Sequence, residues 1–73
     1  MFTALLTYTE ALAIQVDGFC ANMRGNVRVM TYVAANGDGG GTITLRATTL
    51  AQITECIELV RKNPHYRKLF MLA

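Results

Sequence analysis

A chain of 73 residues with a net charge of +2 is short enough for one domain and too weakly basic to indicate nucleic-acid binding by charge alone. Apolar residues make up 52% of the chain and charged residues 16%, against about 25% charged in a typical domain, so we expect some apolar surface to lie in an interface, as in a homodimer. No apolar run approaches the roughly 20 residues of a membrane-spanning helix, and the first residues lack the basic segment of a secretory signal, so neither is expected.

The metal-binding residue types are few: two cysteines, Cys20 and Cys56, and one histidine, His65. A structural zinc site needs four ligands at short paired spacings, so we expect no metal and no other cofactor. Both cysteines fall on the apolar stripes of predicted helices, where a free thiol packs as a small hydrophobic group. Two cysteines in such positions predict reduced thiols and a cytoplasmic protein.

The first third of the chain predicts a strand followed by a helix. Residues 2–6 form a short apolar run with threonine, which is typical of a strand. Thr7 and Glu10 fit a capping box, and apolar residues then recur at helical spacing from Tyr8 onward. Gly25 is expected to supply the left-handed residue just beyond the helix end.

The middle of the chain predicts a β-hairpin. Residues 26–35 and 42–48 each alternate apolar and polar side chains, and the segment 36–41 between them contains Asn, Asp and four glycines. Two alternating runs around such a turn predict one apolar and one polar sheet face. The expected register places Val33 opposite Ile43.

The last third predicts a second helix and a final strand. Thr49 and Gln52 form a second capping box, and Asn63-Pro64 ends the apolar stripe that follows it. The apolar residues 69–72 suit a last helical turn or a last strand, and their short length favours the strand.

Together these elements predict one α+β domain over residues 1–73, a β-α-β-β-α-β ferredoxin-like two-layer sandwich. Both helices would cover one face of a four-stranded sheet and leave the other face open. An alternative remains, because apolar residues also recur every seven positions through residues 2–24. One long helix there would give an α-β-β-α fold whose two-stranded hairpin requires a dimer for stability.

The polar face of the hairpin is the first candidate binding site. The expected register places Met30 opposite Arg46 and Tyr32 opposite Thr44. With Arg28 on the same face, two guanidinium groups, those of Arg28 and Arg46, would flank the aromatic ring of Tyr32. Single-stranded nucleic acids bind such platforms by stacking and phosphate contact, and the same face equally suits a dimer interface.

The second candidate is the basic tail, which we define as Arg61, Lys62, Arg67 and Lys68. These four cations suit a phosphate backbone or an acidic protein surface. Alternatively, they are solvated, with Arg61 and Lys62 stabilising the negative end of the second helix.

Catalysis is not expected, and no catalytic residues are assigned. The chain has no serine, its carboxylates are scattered, and His65 stands among basic residues without a nucleophile partner. The glycine-rich turn precedes a strand, whereas phosphate-binding loops precede a helix N-terminus.

These observations predict a small non-catalytic protein-interaction module, homodimeric, that regulates or inhibits a larger protein complex by occluding it. In being short, apolar, free of motifs and confined to one domain, the chain resembles in general character the small phage inhibitors of host defence, including anti-CRISPR proteins. The alternative function is a nucleic-acid-binding regulator that uses the open sheet face and the basic tail.

Overall fold

The computed structural model of the protein describes residues 1–72 and places them in four strands and three helices. In chain order these are β1 (Phe2–Tyr8), α1 (Ala13–Asn22), β2 (Met30–Ala35), β3 (Gly41–Ala47), α2 (Leu50–Lys62), α3 (Pro64–Leu69) and β4 (Met71–Leu72). A π-helical turn over Met23–Val27 follows α1 directly.

The strands form one open antiparallel sheet in the order β2-β3-β1-β4. The central pair is the longest: β1 and β3 are paired from Phe2 opposite Ala47 to Tyr8 opposite Gly41. The protein is therefore α+β, as expected, with a four-stranded sheet. The alternative of one helix over residues 2–24 is wrong, because its first third is the central strand β1.

The capping box predicted at Thr7 and Glu10 is not formed. Thr7 lies inside β1, and the helix begins five residues later than predicted, at Ala13. The strand forms in place of the helix start because it buries two apolar side chains: Leu6 is 0% exposed and Tyr8 is 5% exposed. Burying such a side chain stabilises the fold by about 1.5–3 kcal/mol, whereas a helix cap contributes typically about 1 kcal/mol.

Both ends of α1 differ from the prediction. At its start the side-chain oxygen of Gln15 accepts the N–H of Leu12 at 2.9 Å. At its end the helix runs on through the π-helical turn, so Gly25 is not the left-handed residue; that conformation falls on Arg28, with φ 62°. Continuing past Gly25 carries Val27 into the core, where it is 4% exposed.

The predicted hairpin register and the second helix cap are confirmed. Val33 lies opposite Ile43 in the β2–β3 ladder. The hydroxyl of Thr49 accepts the N–H of Gln52 at 3.2 Å, and the Gln52 side chain accepts the N–H of Thr49 at the same distance.

Asn63 ends α2 and begins α3, so the stretch expected to be a basic loop after Pro64 is helical. The Asn63 side chain accepts the N–H groups of His65 at 2.9 Å and Tyr66 at 3.3 Å. Pro64 occupies the first helical position, where a missing N–H has no consequence. The final strand is shorter than predicted, only two residues long.

The core lies between the helices and one face of the sheet, an arrangement consistent with two layers. Its buried members come from β1, α1, the π-helical turn and the residues just after it, β3, α2 and the turn before β4: Leu6, Tyr8, Val16, Phe19, Cys20, Met23, Val27, Val29, Ile43, Leu45, Ala47, Ile53, Cys56, Val60 and Phe70. Within residues 1–72, no helix has the length and apolar character needed to cross a membrane.

A group of aromatic rings joins the C-terminal segment to this core. The Phe19 ring meets Tyr66 edge-on, with centroids 5.0 Å apart, and lies 4.5 Å from the Phe70 ring. Phe70 also meets Tyr8 edge-on at 6.1 Å. Such pairs contribute about 0.5–1.5 kcal/mol each beyond their burial, so they hold in place the segment that forms the two-residue β4.

Candidate functional site

The sheet face turned away from the helices, called here the open face, is the main candidate site. Side chains alternate along a strand, so the paired registers determine which residues share this face. They are Thr3, Leu5 and Thr7 of β1, Met30, Tyr32 and Ala34 of β2, Thr42, Thr44 and Arg46 of β3, and Met71 of β4.

The open face carries apolar and polar side chains in equal number, five of each among its ten residues. Leu5 and Met30 are each 44% exposed, Tyr32 is 48% exposed and Met71 is 54% exposed. Threonines fill most of the remaining positions, and Arg46 is the one charged side chain that the described residues place on this face. The three polar residues of β3, Thr42, Thr44 and Arg46, lie between the apolar side chains of β2 and Leu5 of β1. Exposed aromatic and methionine side chains are enriched at protein interfaces.

Tyr32 and Arg46 form a stacked pair on this face, as predicted. Met30 lies opposite Arg46, and Tyr32 lies opposite Thr44. The guanidinium carbon of Arg46 is 5.9 Å from the Tyr32 ring centroid, within the range of a cation–π contact. The Tyr32 hydroxyl also donates to the Met30 sulfur at 3.6 Å, so the side chain has a second contact on this face.

The predicted third member, Arg28, lies outside the strand whose alternation was expected to place it on the open face. β2 begins at Met30, and Arg28 sits two residues earlier in the left-handed conformation that ends the π-helical turn. A positive φ breaks the alternation on which its predicted position depended. The carbonyl of Arg28 instead accepts a weak hydrogen bond from the side-chain amide of Gln52 at 3.4 Å.

The basic tail is divided between two helices. Arg61 and Lys62, in the last turn of α2, lie 3.9 and 3.7 Å from the Glu58 carboxylate. These are exposed pairs of the kind that contribute little to stability. Arg67 and Lys68 are exposed in the last turn of α3.

Arg61 of the basic tail lies away from Tyr32, although it lines the same depression as Thr3, the cross-strand partner of Arg46. Arg61 lines a shallow depression of about 500 Å³ together with Leu5 of β1 and Leu72 of β4. In the strand order, β1 is separated from β2 by β3, which corresponds to about 10 Å. The tail therefore borders the β1 side of the sheet, whereas Tyr32 lies on its β2 side.

A groove that the sequence did not reveal runs between α1 and β2. This α1–β2 groove has a volume of about 380 Å³, with three glycines of the hairpin loop at one end. Its other lining residues include Tyr8, Ala13, Val16, Asp17, Val33 and Ala35. Because most of these side chains are small, α1 leaves the inner side of β2 uncovered, and Val33 is 45% exposed.

The hairpin loop beside the groove is held by hydrogen bonds. The Asn36 N–H donates to the Gly40 carbonyl at 2.8 Å, and the Gly40 N–H donates to the Asp38 carboxylate at 2.9 Å. The Ala11 N–H donates to the Gly39 carbonyl at 2.9 Å, which joins this loop to the segment before α1. This end of the groove is therefore fixed to the end of β2 and to the segment before α1.

The two cysteines are free and buried, an environment that disfavours the thiolate form. Desolvation raises the pKa of the Cys56 thiol to about 11, with a smaller contribution from the Glu55 carboxylate. Burial also raises the pKa of the Cys20 thiol, partly opposed by a hydrogen bond to Thr31. Residues 1–72 contain no group of three or more His, Cys, Asp and Glu side chains placed to hold a metal ion.

Sequence reasoning found the β2 and β3 parts of the open face and missed the rest. Thr3 and Leu5 were assigned to the first strand of the four-stranded sheet, but no pairing register was predicted for that strand, so the face they share with Arg46 had no prediction. The signal that would have found them is the alternation of the apolar residues Ala4, Leu6 and Tyr8, which extends the strand through Tyr8.

No protein-family model, curated protein or solved structure matches the chain.

Proposed function

We propose that this protein is a non-catalytic protein-interaction module that acts as a homodimer and regulates or inhibits a larger protein complex by occluding it. It would act in the cytoplasm and be of the general kind of phage anti-defence proteins, including anti-CRISPR inhibitors. We further propose that its sheet and helices belong to the ferredoxin-like β-α-β-β-α-β arrangement, with α3 as an addition.

The observation that carries the proposal is the set of exposed apolar side chains on the open face. Leu5, Met30, Tyr32 and Met71 are all 40–60% exposed on one surface with a single cation. Burial of apolar surface at about 25 cal/mol per Å² drives most protein association, and aromatic and methionine side chains are enriched at interfaces. Side chains of this kind suit a protein partner better than a phosphate backbone.

The non-catalytic part of the proposal rests on the placement of the reactive groups. Both thiols are buried with raised pKa values, and His65 is exposed in α3. None of these groups lines the α1–β2 groove. The groove offers shape and a single carboxylate, Asp17, which suits binding rather than bond breaking.

Site-specific photo-crosslinking tests the proposal in cells that produce the protein. A photoreactive phenylalanine analogue is placed at Tyr32, at Leu5, and at the control position Ala51, which is exposed on α2. One adduct that forms from both open-face positions and not from Ala51 is the expected result. Adducts that are equally frequent at all three positions would show that the open face has no specific partner.

Charge removal tests the contribution of the basic tail. Replacing Arg61, Lys62, Arg67 and Lys68 by alanine is expected to weaken the same adduct if the partner is acidic. An unchanged yield would remove the tail from the interface and leave the open face as the contact surface.

The second candidate function is nucleic-acid binding, which the Tyr32–Arg46 pair favours. Binding of a short single strand should then fall steeply as salt increases. Tyr32→Ala should weaken binding by about 1–3 kcal/mol if a base stacks on the ring, whereas Tyr32→Phe should retain most of the affinity. Equal affinities of the two variants would exclude stacking at Tyr32.

A further inference from the structure

β2 is the last strand on its side of the sheet, and half of its backbone groups point outward. The Asn36 N–H donates to the Gly40 carbonyl, which identifies this as a hydrogen-bonded pair of the β2–β3 ladder. Hydrogen-bonded and non-bonded pairs alternate in an antiparallel ladder, so every second residue of β2 directs its N–H and C=O away from β3. These residues are Thr31, Val33 and Ala35.

This edge lacks the usual protection against pairing. Soluble proteins guard exposed edges with charged side chains, proline, bulges or very short strands. β2 is six residues long, contains no charged residue and no proline, and pairs with β3 without a bulge. By contrast, the opposite edge of the sheet is the two-residue β4. A long, uncharged edge rich in β-branched and aromatic side chains is a template for another strand.

We infer that β2 pairs antiparallel with β2 of a second copy of this chain, around a two-fold axis at Val33. A strand that carries no charge meets its own copy without repulsion. Placing Val33 opposite Val33 of the partner subunit also places Thr31 opposite the partner's Ala35. This register engages all three outward-facing residues of each strand, and registers shifted along the strand engage fewer.

Two charged side chains near the edge agree with this two-fold arrangement. Arg24 donates to the Thr31 hydroxyl at 3.2 Å, so its positive charge lies beside the start of β2. Asp17 lines the groove with Ala35, so its negative charge lies toward the end of β2. Because antiparallel pairing brings Thr31 to the partner's Ala35, Arg24 approaches Asp17 of the partner subunit on both sides of the axis.

The α1–β2 groove provides space for the inner side chains of the second strand. Val33 and Ala35 line the groove from the helix side of the sheet. A partner strand in the same plane directs the partner's Val33 to that side as well. The small residues of α1 that leave this space, such as Ala13, therefore have a role in the pairing.

This inference deepens the proposed function and depends on its homodimer. The pairing yields one eight-stranded sheet, in which the two open faces form one continuous surface with both Tyr32 rings near the axis. The apolar contact area available to a larger partner is thereby doubled, although neither open face is used in the dimer.

Charge pairs at position 33 test the register. Val33→Lys places two like charges on the axis, and so does Val33→Glu, so each variant alone is expected to have the light-scattering mass of a monomer. Mixing the two variants is expected to restore a dimer that contains one chain of each, detectable by native mass spectrometry. Val33 is 45% exposed, so the variants keep the fold, which circular dichroism verifies.

A matched control and a second set of variants complete the experiment. Ala51→Lys adds the same charge on an exposed part of α2 and should dimerise like the unaltered chain. Asp17→Arg should weaken dimerisation at least tenfold, and Asp17→Arg combined with Arg24→Asp should restore it, since the opposite signs are again paired.

Two results would overturn the inference, and they differ in what they leave standing. If the unaltered chain is a dimer and Val33→Lys remains one, the edge pairing is wrong, whereas the homodimer of the proposed function stands. If the unaltered chain is monomeric at every concentration, both the pairing and the homodimer are wrong. In either case the crosslinking at Tyr32 separately decides whether the open face binds a partner.

Discussion

Gly41, the first residue of β3, lies where the Tyr8 ring and the β2 backbone meet. A Cβ added at Gly41 would lie 2.5 Å from the Tyr8 hydroxyl oxygen, 2.6 Å from the Ala34 carbonyl oxygen and 2.7 Å from the ring carbon Cζ of Tyr8. All three distances are shorter than any stable contact of a methyl group. The backbone at Gly41 does not have a positive φ, so the requirement for glycine here is space.

Gly41→Ala is therefore expected to destabilise the protein strongly. Overpacking a core typically costs about 1–3 kcal/mol, and the upper end applies because the Ala34 carbonyl belongs to the β2–β3 ladder and cannot rotate away. The whole domain is expected to have a free energy of unfolding of only about 4–11 kcal/mol. A loss of about 3 kcal/mol corresponds to a fall in Tm of about 12–24 °C for a domain of this size.

Gly18→Ala provides the matched control, because the same methyl group is added where it meets nothing. No atom lies within 4 Å of a Cβ at Gly18, and the residue is exposed inside α1. Alanine is a better helix former than glycine, so this variant should gain about 0.5–1 kcal/mol.

Urea unfolding followed by circular dichroism measures both variants against the unaltered chain. The two changes are expected to have opposite signs, with unchanged slopes in the urea dependence. If Gly41→Ala is as stable as the unaltered chain, the Tyr8 ring does not lie against Gly41. The described position of Tyr8 in the lining of the α1–β2 groove is then wrong.

Two further predictions concern the helix junction and a buried thiol. Asn63→Ala removes the acceptor for the N–H groups at the start of α3 and should cost about 1 kcal/mol in urea unfolding, whereas Asn63→Asp keeps an acceptor and should cost less; equal losses would contradict a capping role. Cys56 has a pKa of about 11 in the folded chain against 9.0 ordinarily, so the folded state binds more protons and the free energy of unfolding should fall as the pH rises from 9 to 11. The fall should be smaller in Cys56→Ala, and the same pH dependence in both proteins would refute the assignment to this thiol.

The hairpin was predictable because its information is local. Alternation in two neighbouring runs determines which side chains share a face, and the register considered for them, with Val33 opposite Ile43, is the one found. The cap of α2 was predictable for the same reason, since Thr49 and Gln52 are three residues apart. The stacked Tyr32–Arg46 pair was a consequence of that register.

The errors in the first third arose where a distant partner outweighed a local signal. Thr7 and Glu10 match a helix cap, but the strand through Tyr8 pairs with β3, which lies beyond a helix and another strand in the chain. A single sequence contains no information on that pairing. The alternation pattern assigned residues 26–29 to the strand, but the π-helical turn extends through Val27 and Arg28 ends it. Arg28 therefore lies outside β2.

The α1–β2 groove and the free edge of β2 could not be predicted either, since both depend on how far α1 stands from the sheet. Helix periodicity gives the side of α1 that is buried, and small residues such as Ala13 give no indication that a space remains beside them. The high apolar content of the sequence predicted exposed apolar surface, and the structure has it. Leu5 and Met71 are exposed on the open face in addition to the apolar residues of the hairpin.

The position of β1 in the middle of the sheet has a consequence for how the chain folds during synthesis. β1 leaves the ribosome well before its principal partner, β3, which is completed only at Ala47. Until then Leu5 and Leu6 have no ladder to join, whereas β2 and β3 can pair through their short loop within microseconds. Closing the long loop between β1 and β3 is therefore expected to limit the folding rate, and any chain that ends within the hairpin has a central strand without its main neighbour.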